Sequence, residues 1–124
     1  MGKIRKIWVL LAVFVLGVFA SPVTSEAEQM TWQVKSLYRY KVQIEFYSQN
    51  RDNAWPGGDR AYNLDDYDTH SFTLNCNSGE KICYGAWDSN DASTYWGVGK
   101  NDRHGCQGCC YTCDGDTYSV RLRR

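Results

Sequence analysis

Histidine, proline and methionine occur only twice each in 124 residues, and the charges cancel, with 14 Lys and Arg against 14 Asp and Glu. A chain without a basic surplus lacks the electrostatic footprint needed to neutralise a phosphate backbone, which excludes nucleic acid as the expected partner. His70 and His104 stand apart from each other and from any nucleophile motif. Surface or structural roles are therefore expected for both, and no catalytic residue is assigned. Beyond the first 27 residues no window carries a helical apolar stripe, and the nine glycines there work against long helices. Internal repeats, low-complexity tracts and Asn-x-Ser/Thr acceptors are also missing, the last being compatible with a bacterial source.

What is present begins with a leader. Lys3, Arg5 and Lys6 precede an unbroken apolar run from Ile7 to Ala20, the anatomy of a secretory signal peptide. The run is shorter than the roughly 20 residues that a membrane-spanning helix needs, and Gly17 and Ser21-Pro22 weaken it further. Small residues in Ser25-Glu26-Ala27 fit a cleavage site. The chain is thus expected to divide into a signal helix over 1–27 and a single small domain over 28–124, secreted or periplasmic. Ala20 is a less suitable cleavage position, and retention of the segment as an anchor is the alternative. Eleven basic and thirteen acidic side chains follow Ala27, a difference of −2. Contact with the membrane is expected only through the signal segment during export.

The domain reads as all-β. Val42, Ile44 and Phe46 alternate with Lys41, Gln43 and Glu45, which predicts a half-buried strand over 40–48. Residues 49–68 are polar and turn-rich, with one short strand expected near 61–64. Two strand-like runs, HSFTLNC and KICYGAWD, flank Asn77-Ser78-Gly79-Glu80 and predict a hairpin over 70–88. In that register Phe72, Leu74, Cys76, Cys83 and Trp87 share one face, and Asn75, Ile82, Tyr84 and Ala86 the other. Further strands are expected over 94–99 and at Tyr118, Val120 and Leu122. Five or six short strands with long loops suggest a small β-sandwich or barrel.

Six cysteines follow the leader: Cys76 and Cys83 on the expected hairpin, and Cys106, Cys109, Cys110 and Cys113 in a C-x-x-C-C-x-x-C cluster over 106–113. In an exported chain an even count reads first as disulfides that staple a modest core. The partners stay open, apart from a vicinal Cys109–Cys110 bond, which would be strained. Because Cys76 and Cys83 share a face in the hairpin register, each is expected to reach a different member of the cluster. Zinc or iron–sulfur ligation would use the same C-x-x-C knuckles, but the two pairs abut where a zinc ribbon separates them. A redox-active pair, Cys106/Cys109 or Cys110/Cys113, is the remaining thiol reading. No cofactor is expected.

Asp65, Asp66 and Asp68, and Asp114 and Asp116, lack the spacing of a calcium loop and read as solvated turns. Aromatic content is the more informative excess. Four of the five tryptophans and all nine tyrosines follow Ala27. Some must form the core, while Trp55, Tyr62, Tyr67 and Tyr95 lie among Asn, Asp and Pro, a mixture suited to a ligand surface that stacks on sugars or contacts proteins.

In GEKICYGAW (79–87), YWGVG (95–99) and the cysteine cluster, the chain resembles small exported bacterial proteins of unknown function. The similarity spans roughly residues 40 to 123. It implies an exported bacterial domain and transfers no catalytic or binding residue. Taken together, these features predict an exported, disulfide-stabilised β protein serving as a non-enzymatic binding or structural module, with a cell-surface, glycan or protein partner. A thiol-redox or metal-binding protein, and a secreted antimicrobial or inhibitory protein, are the alternatives.

Overall fold

Side chains that alternate along an extended chain can bury only one face of a sheet, so a chain built from such segments must stack two sheets to close its core. The structure, a computed structural model, describes residues 26–124 and shows this solution; the expected leader lies outside the described residues except for Glu26 and Ala27. Nine strands follow in order: β1 (Ala27–Ser36), β2 (Val42–Ser48), β3 (Ala54–Trp55), β4 (Tyr62–Leu64), β5 (Thr69–Asn77), β6 (Lys81–Asp88), β7 (Asp91–Gly97), β8 (Cys110–Thr112) and β9 (Thr117–Leu122). The only helical element among the described residues is a 3-10 turn, Lys100–Asp102.

One sheet has the order β5-β1-β9, with β1 antiparallel to β5 and parallel to β9. In the second, β2 and β6 form the central antiparallel pair. Short strands β3 and β4 share the free edge of β2, and β7 and β8 share that of β6. Met30, Trp32 and Val34 from β1 meet Val42, Ile44 and Phe46 from β2 in the interior, joined by Leu74, Ile82, Ala86, Val120 and Leu122. Trp32 is fully buried at the centre, with Phe46 at 5.1 Å and the rings of Tyr84, Tyr111 and Tyr118 within 6.2 Å. Among the described residues its indole N–H has no hydrogen-bond partner. Leaving such a donor unpaired costs about 1–3 kcal/mol, which the burial of a large indole offsets.

The expected hairpin over 70–88 is not formed. A turn does close at Asn77–Glu80, where the Glu80 N–H donates to the Asn77 carbonyl and Gly79 takes a φ of +82° at the third position, as glycine readily does. The strands on either side of it then enter different sheets: β5 pairs β1, whereas β6 lies between β2 on one edge and β7 and β8 on the other. The turn is a corner between layers. Two bonds stitch it to the cysteine cluster: the Gly79 N–H donates to the Cys113 carbonyl, and the Cys113 N–H to the Glu80 carbonyl. The face assignment fails with the hairpin. Cys76 belongs to the inner core with Leu74, while Cys83 lies on the outer face of the larger sheet with Tyr47 and Val98.

All six cysteines are paired, as Cys76–Cys113, Cys83–Cys110 and Cys106–Cys109. The first two close separations of 37 and 27 residues, each restricting the unfolded chain by about 3–4 kcal/mol in the entropic account. For a domain whose whole net stability is of order 5–15 kcal/mol, these two links are a large share. The protein is thus a small, disulfide-stapled, all-β sandwich.

Candidate functional site

The larger sheet is covered on its outer face as well. Tyr47, Cys83 and Val98 are buried there, and Ala54, Cys106 and Cys110 pack against them. Gly85 makes this possible: a Cβ at that position would overlap the Gly99 carbonyl, so only glycine lets the segment after β7 lie directly on the sheet. The segment is held by the Tyr47 hydroxyl, which accepts the Asn101 N–H at 2.9 Å, and by the Gln49 amide, which donates to Asp102 at 3.0 Å.

Between this segment and the loop after β2 runs a polar cleft of about 800 Å³. Glu45 and Tyr47 project into it from β2; Ser48, Arg51, Asp52, Asn53, Gly57, Gly58 and Asp59 form one wall, and Lys100, Asn101 and Asp102 the other. Four carboxylates against two cations give it an acidic balance. Burial pushes the Glu45 carboxyl above its ordinary value; Asp59 adds to the shift and Lys100 opposes it. Burial also raises the Tyr47 phenol, which stays protonated and neutral at any physiological pH. Lys100 lies over the Trp87 ring at 5.9 Å and Arg51 over the Trp55 ring at 5.7 Å, so an indole lies behind each wall.

Backbone strain gathers at the same place. Of the four non-glycine residues with positive φ among the described residues, Asp59, Asn101 and Asp102 line the cleft, and Gly57 and Gly58 are also in the left-handed region. Asp and Asn enter this region more readily than other non-glycine residues, so the cost is modest, and uncommon backbone of this kind clusters where a site needs fixed geometry. The cleft can offer carboxylate and amide oxygens, a hydroxyl and two cationic groups to a polar ligand.

The aromatic surface residues named from the sequence are divided. Trp55 donates its indole N–H to the Asn75 carbonyl at 3.0 Å, and Tyr62 packs on Phe72 at 4.5 Å; both are half-buried and seal the inner core beside β2. Tyr67 is exposed on the loop between β4 and β5, and Tyr95 is exposed on β7, at the opposite edge of the sheet, stacked on His104 at 3.8 Å. The four do not share a face. His70 pairs with Asp66 at 2.7 Å, and Asp114 accepts the Tyr118 hydroxyl, so these groups have local partners. Glu45, Asp59, Asn101 and Asp102 had no site signal of their own: Glu45 read only as the polar phase of an alternating strand, and Asp59 as part of the polar, turn-rich stretch 49–68. Of the two thiol pairings open to the cluster, the structure contains Cys106–Cys109, while Cys110 and Cys113 are bonded to the sheets. No protein family, curated protein or solved structure matches the chain.

Proposed function

We propose that this protein is an exported, non-enzymatic binding module of bacterial origin whose outer-face cleft takes a polyhydroxylated ligand, a glycan of a cell surface or of the surrounding medium. Three disulfides fit an oxidising, extracellular or periplasmic setting. The observation that carries the reading is the coincidence of strained backbone at Asp59, Asn101 and Asp102 with a concave surface of carboxylates and amides. Such groups are suited to accepting and donating hydrogen bonds with vicinal hydroxyls.

The test is a glycan panel read by tryptophan fluorescence, since Trp55 and Trp87 lie behind the cleft's cations. Asp59→Asn and Asp102→Asn keep residues that tolerate the left-handed region while removing a charged acceptor. Each is expected to weaken binding about tenfold or more, the scale of one lost hydrogen bond to a charged group. A panel with no response, or a ligand whose affinity is unchanged in both variants, would refute the reading.

A further inference from the structure

The three disulfides are not equivalent, and we propose that Cys106–Cys109 is a site of thiol–disulfide exchange, reducible in the folded protein by an external dithiol. Cys76 and Cys113 are buried in the inner core, and Cys83 is buried beneath the segment that covers the outer face. An attacking thiolate can reach those sulfurs only after part of the sandwich opens. Cys109 is buried, and Cys106 and Cys110 are each partly exposed; but Cys110 is held in the ladder between β8 and β6, whereas Cys106 lies in a loop where every residue from Asn101 to Gly105, together with Gln107 and Gly108, is exposed. Its link spans a sequence separation of 3, so it joins no two strands and restrains the unfolded chain least of the three. Exposed disulfides with little structural duty are the ones that exchange.

The step is balanced with a dithiol as co-reactant. A thiolate of the dithiol attacks Cys106 Sγ, the Cys106–Cys109 bond breaks, and its electron pair leaves on Cys109 Sγ, which takes up a proton. The second thiolate of the reagent then attacks its own sulfur in the mixed disulfide and expels the Cys106 thiolate, which is protonated in turn. Two electrons and two protons pass to the protein, and the dithiol becomes a cyclic disulfide. The neighbouring backbone stays tethered without the link: the His104 N–H donates to the Val98 carbonyl at 3.0 Å, the Tyr84 N–H to the Cys109 carbonyl at 3.1 Å, and Cys110 remains bonded to Cys83.

The oxidised protein would be exposed to dithiothreitol under native conditions, quenched with an alkylating agent at intervals, digested with trypsin and weighed. Residues 61–81, 82–100 and 104–121 carry Cys76, Cys83 and the cluster respectively. The expected product has these three segments still joined, with two alkyl groups on Cys106 and Cys109, appearing about a hundredfold or more faster than label on the other four cysteines. Near-ultraviolet circular dichroism should be unchanged at that stage. Comparable labelling rates for all six cysteines, or label that enters only as the dichroism is lost, would overturn the proposal. The Cys106→Ser/Cys109→Ser double variant should fold and lose the fast phase; its failure to fold would equally count against an exchangeable link.

Discussion

The corner between the two sheets is held by one carboxylate, and removing it should measurably loosen the sandwich. Glu80 is buried, its side chain only 2% exposed, and accepts from Arg51 Nε at 2.6 Å, Arg51 Nη2 at 3.0 Å, the Asn77 N–H at 2.9 Å and the Ser48 hydroxyl. Ser48 Oγ in turn accepts the Asn50 and Arg51 N–H groups, each at 3.2 Å, so the end of β2 and the corner after β5 are joined through this carboxylate. Glu80→Ala leaves the Asn77 N–H without its acceptor and Arg51 without its partner. Breaking a buried, hydrogen-bonded charge pair costs about 3–5 kcal/mol. Arg51 is 42% exposed and partly regains water, which places the cost at the lower end, about 3 kcal/mol. For a domain of this length that lowers the melting temperature by roughly 15 °C.

The pH dependence has a definite sign. Burial alone would raise the Glu80 carboxyl, but the hydrogen bonds from Arg51, the Asn77 N–H and Ser48 outweigh it and hold the group below its ordinary 4.5. A depressed folded value stabilises the fold above the unfolded one, and this contribution is lost as pH falls through the folded value. In guanidinium titrations, wild type and Glu80→Gln should therefore differ most at pH 7, and the gap should narrow as pH falls below 4.5. A Glu80→Ala midpoint equivalent to less than 0.5 kcal/mol of change, or a gap to Glu80→Gln that widens on acidification, would refute the assigned role.

Trp32→Ala should cost about 3–5 kcal/mol by opening a cavity at the sandwich centre; Trp32→Phe should cost markedly less, because it also removes the unpartnered N–H, and denaturant titration of both separates the two effects. Gly85→Ala should destabilise by about 1–3 kcal/mol, since its methyl group displaces the backbone at Gly99, and should also weaken any ligand held by Asn101 and Asp102. Burial and the Asp114 carboxylate push the Tyr118 phenol up to about 12. Its contribution is present below pH 10 and lost as pH rises towards 12, so in ultraviolet titration Tyr118→Phe should remove one of the late-ionising tyrosines while Tyr47 remains another.

Much of the fold was legible where alternation was strict. The strands β2 and β9 lie where Val42-Ile44-Phe46 and Tyr118-Val120-Leu122 placed them, and β4 and β7 fall within or beside the expected 61–64 and 94–99. Met30, Trp32 and Val34 alternate in the same way, yet β1, the middle strand of its sheet, was not predicted, and nor was the three-residue β8. The hairpin failed for a non-local reason. Asn-Ser-Gly-Glu closes the same turn whether the strands then pair or part, and the difference lies in Arg51 and Cys113, which are distant in sequence and bind Glu80 and Gly79 at the corner. The cleft was hidden for a related reason: its walls come from residues 48–59 and 100–102, brought together by Gly85 and Tyr47.

The cysteine cluster joins these errors to a reading that survives them. The expectation that Cys76 and Cys83 would bond to different cluster members is met, but not because they share a face; Cys76 lies in the inner core on one sheet and Cys83 on the outer face of the other. Side chains along an extended strand change sides at every residue, so Cys110 and Tyr111 of β8 point to opposite sides, and Cys113, just past the strand, lies in the inner core. Cys110 sits directly across from Cys83 in the β6–β8 register and bonds to it on the outer face, Tyr111 turns inward onto Trp32, and Cys113 reaches Cys76 in the core. The odd spacing of Cys110 and Cys113 thus delivers one sulfur of the cluster to each face. Cys106 and Cys109 are then left to bond with each other, and this C-x-x-C, one of the two read as redox candidates, is the one link the sandwich does not need to hold its sheets together.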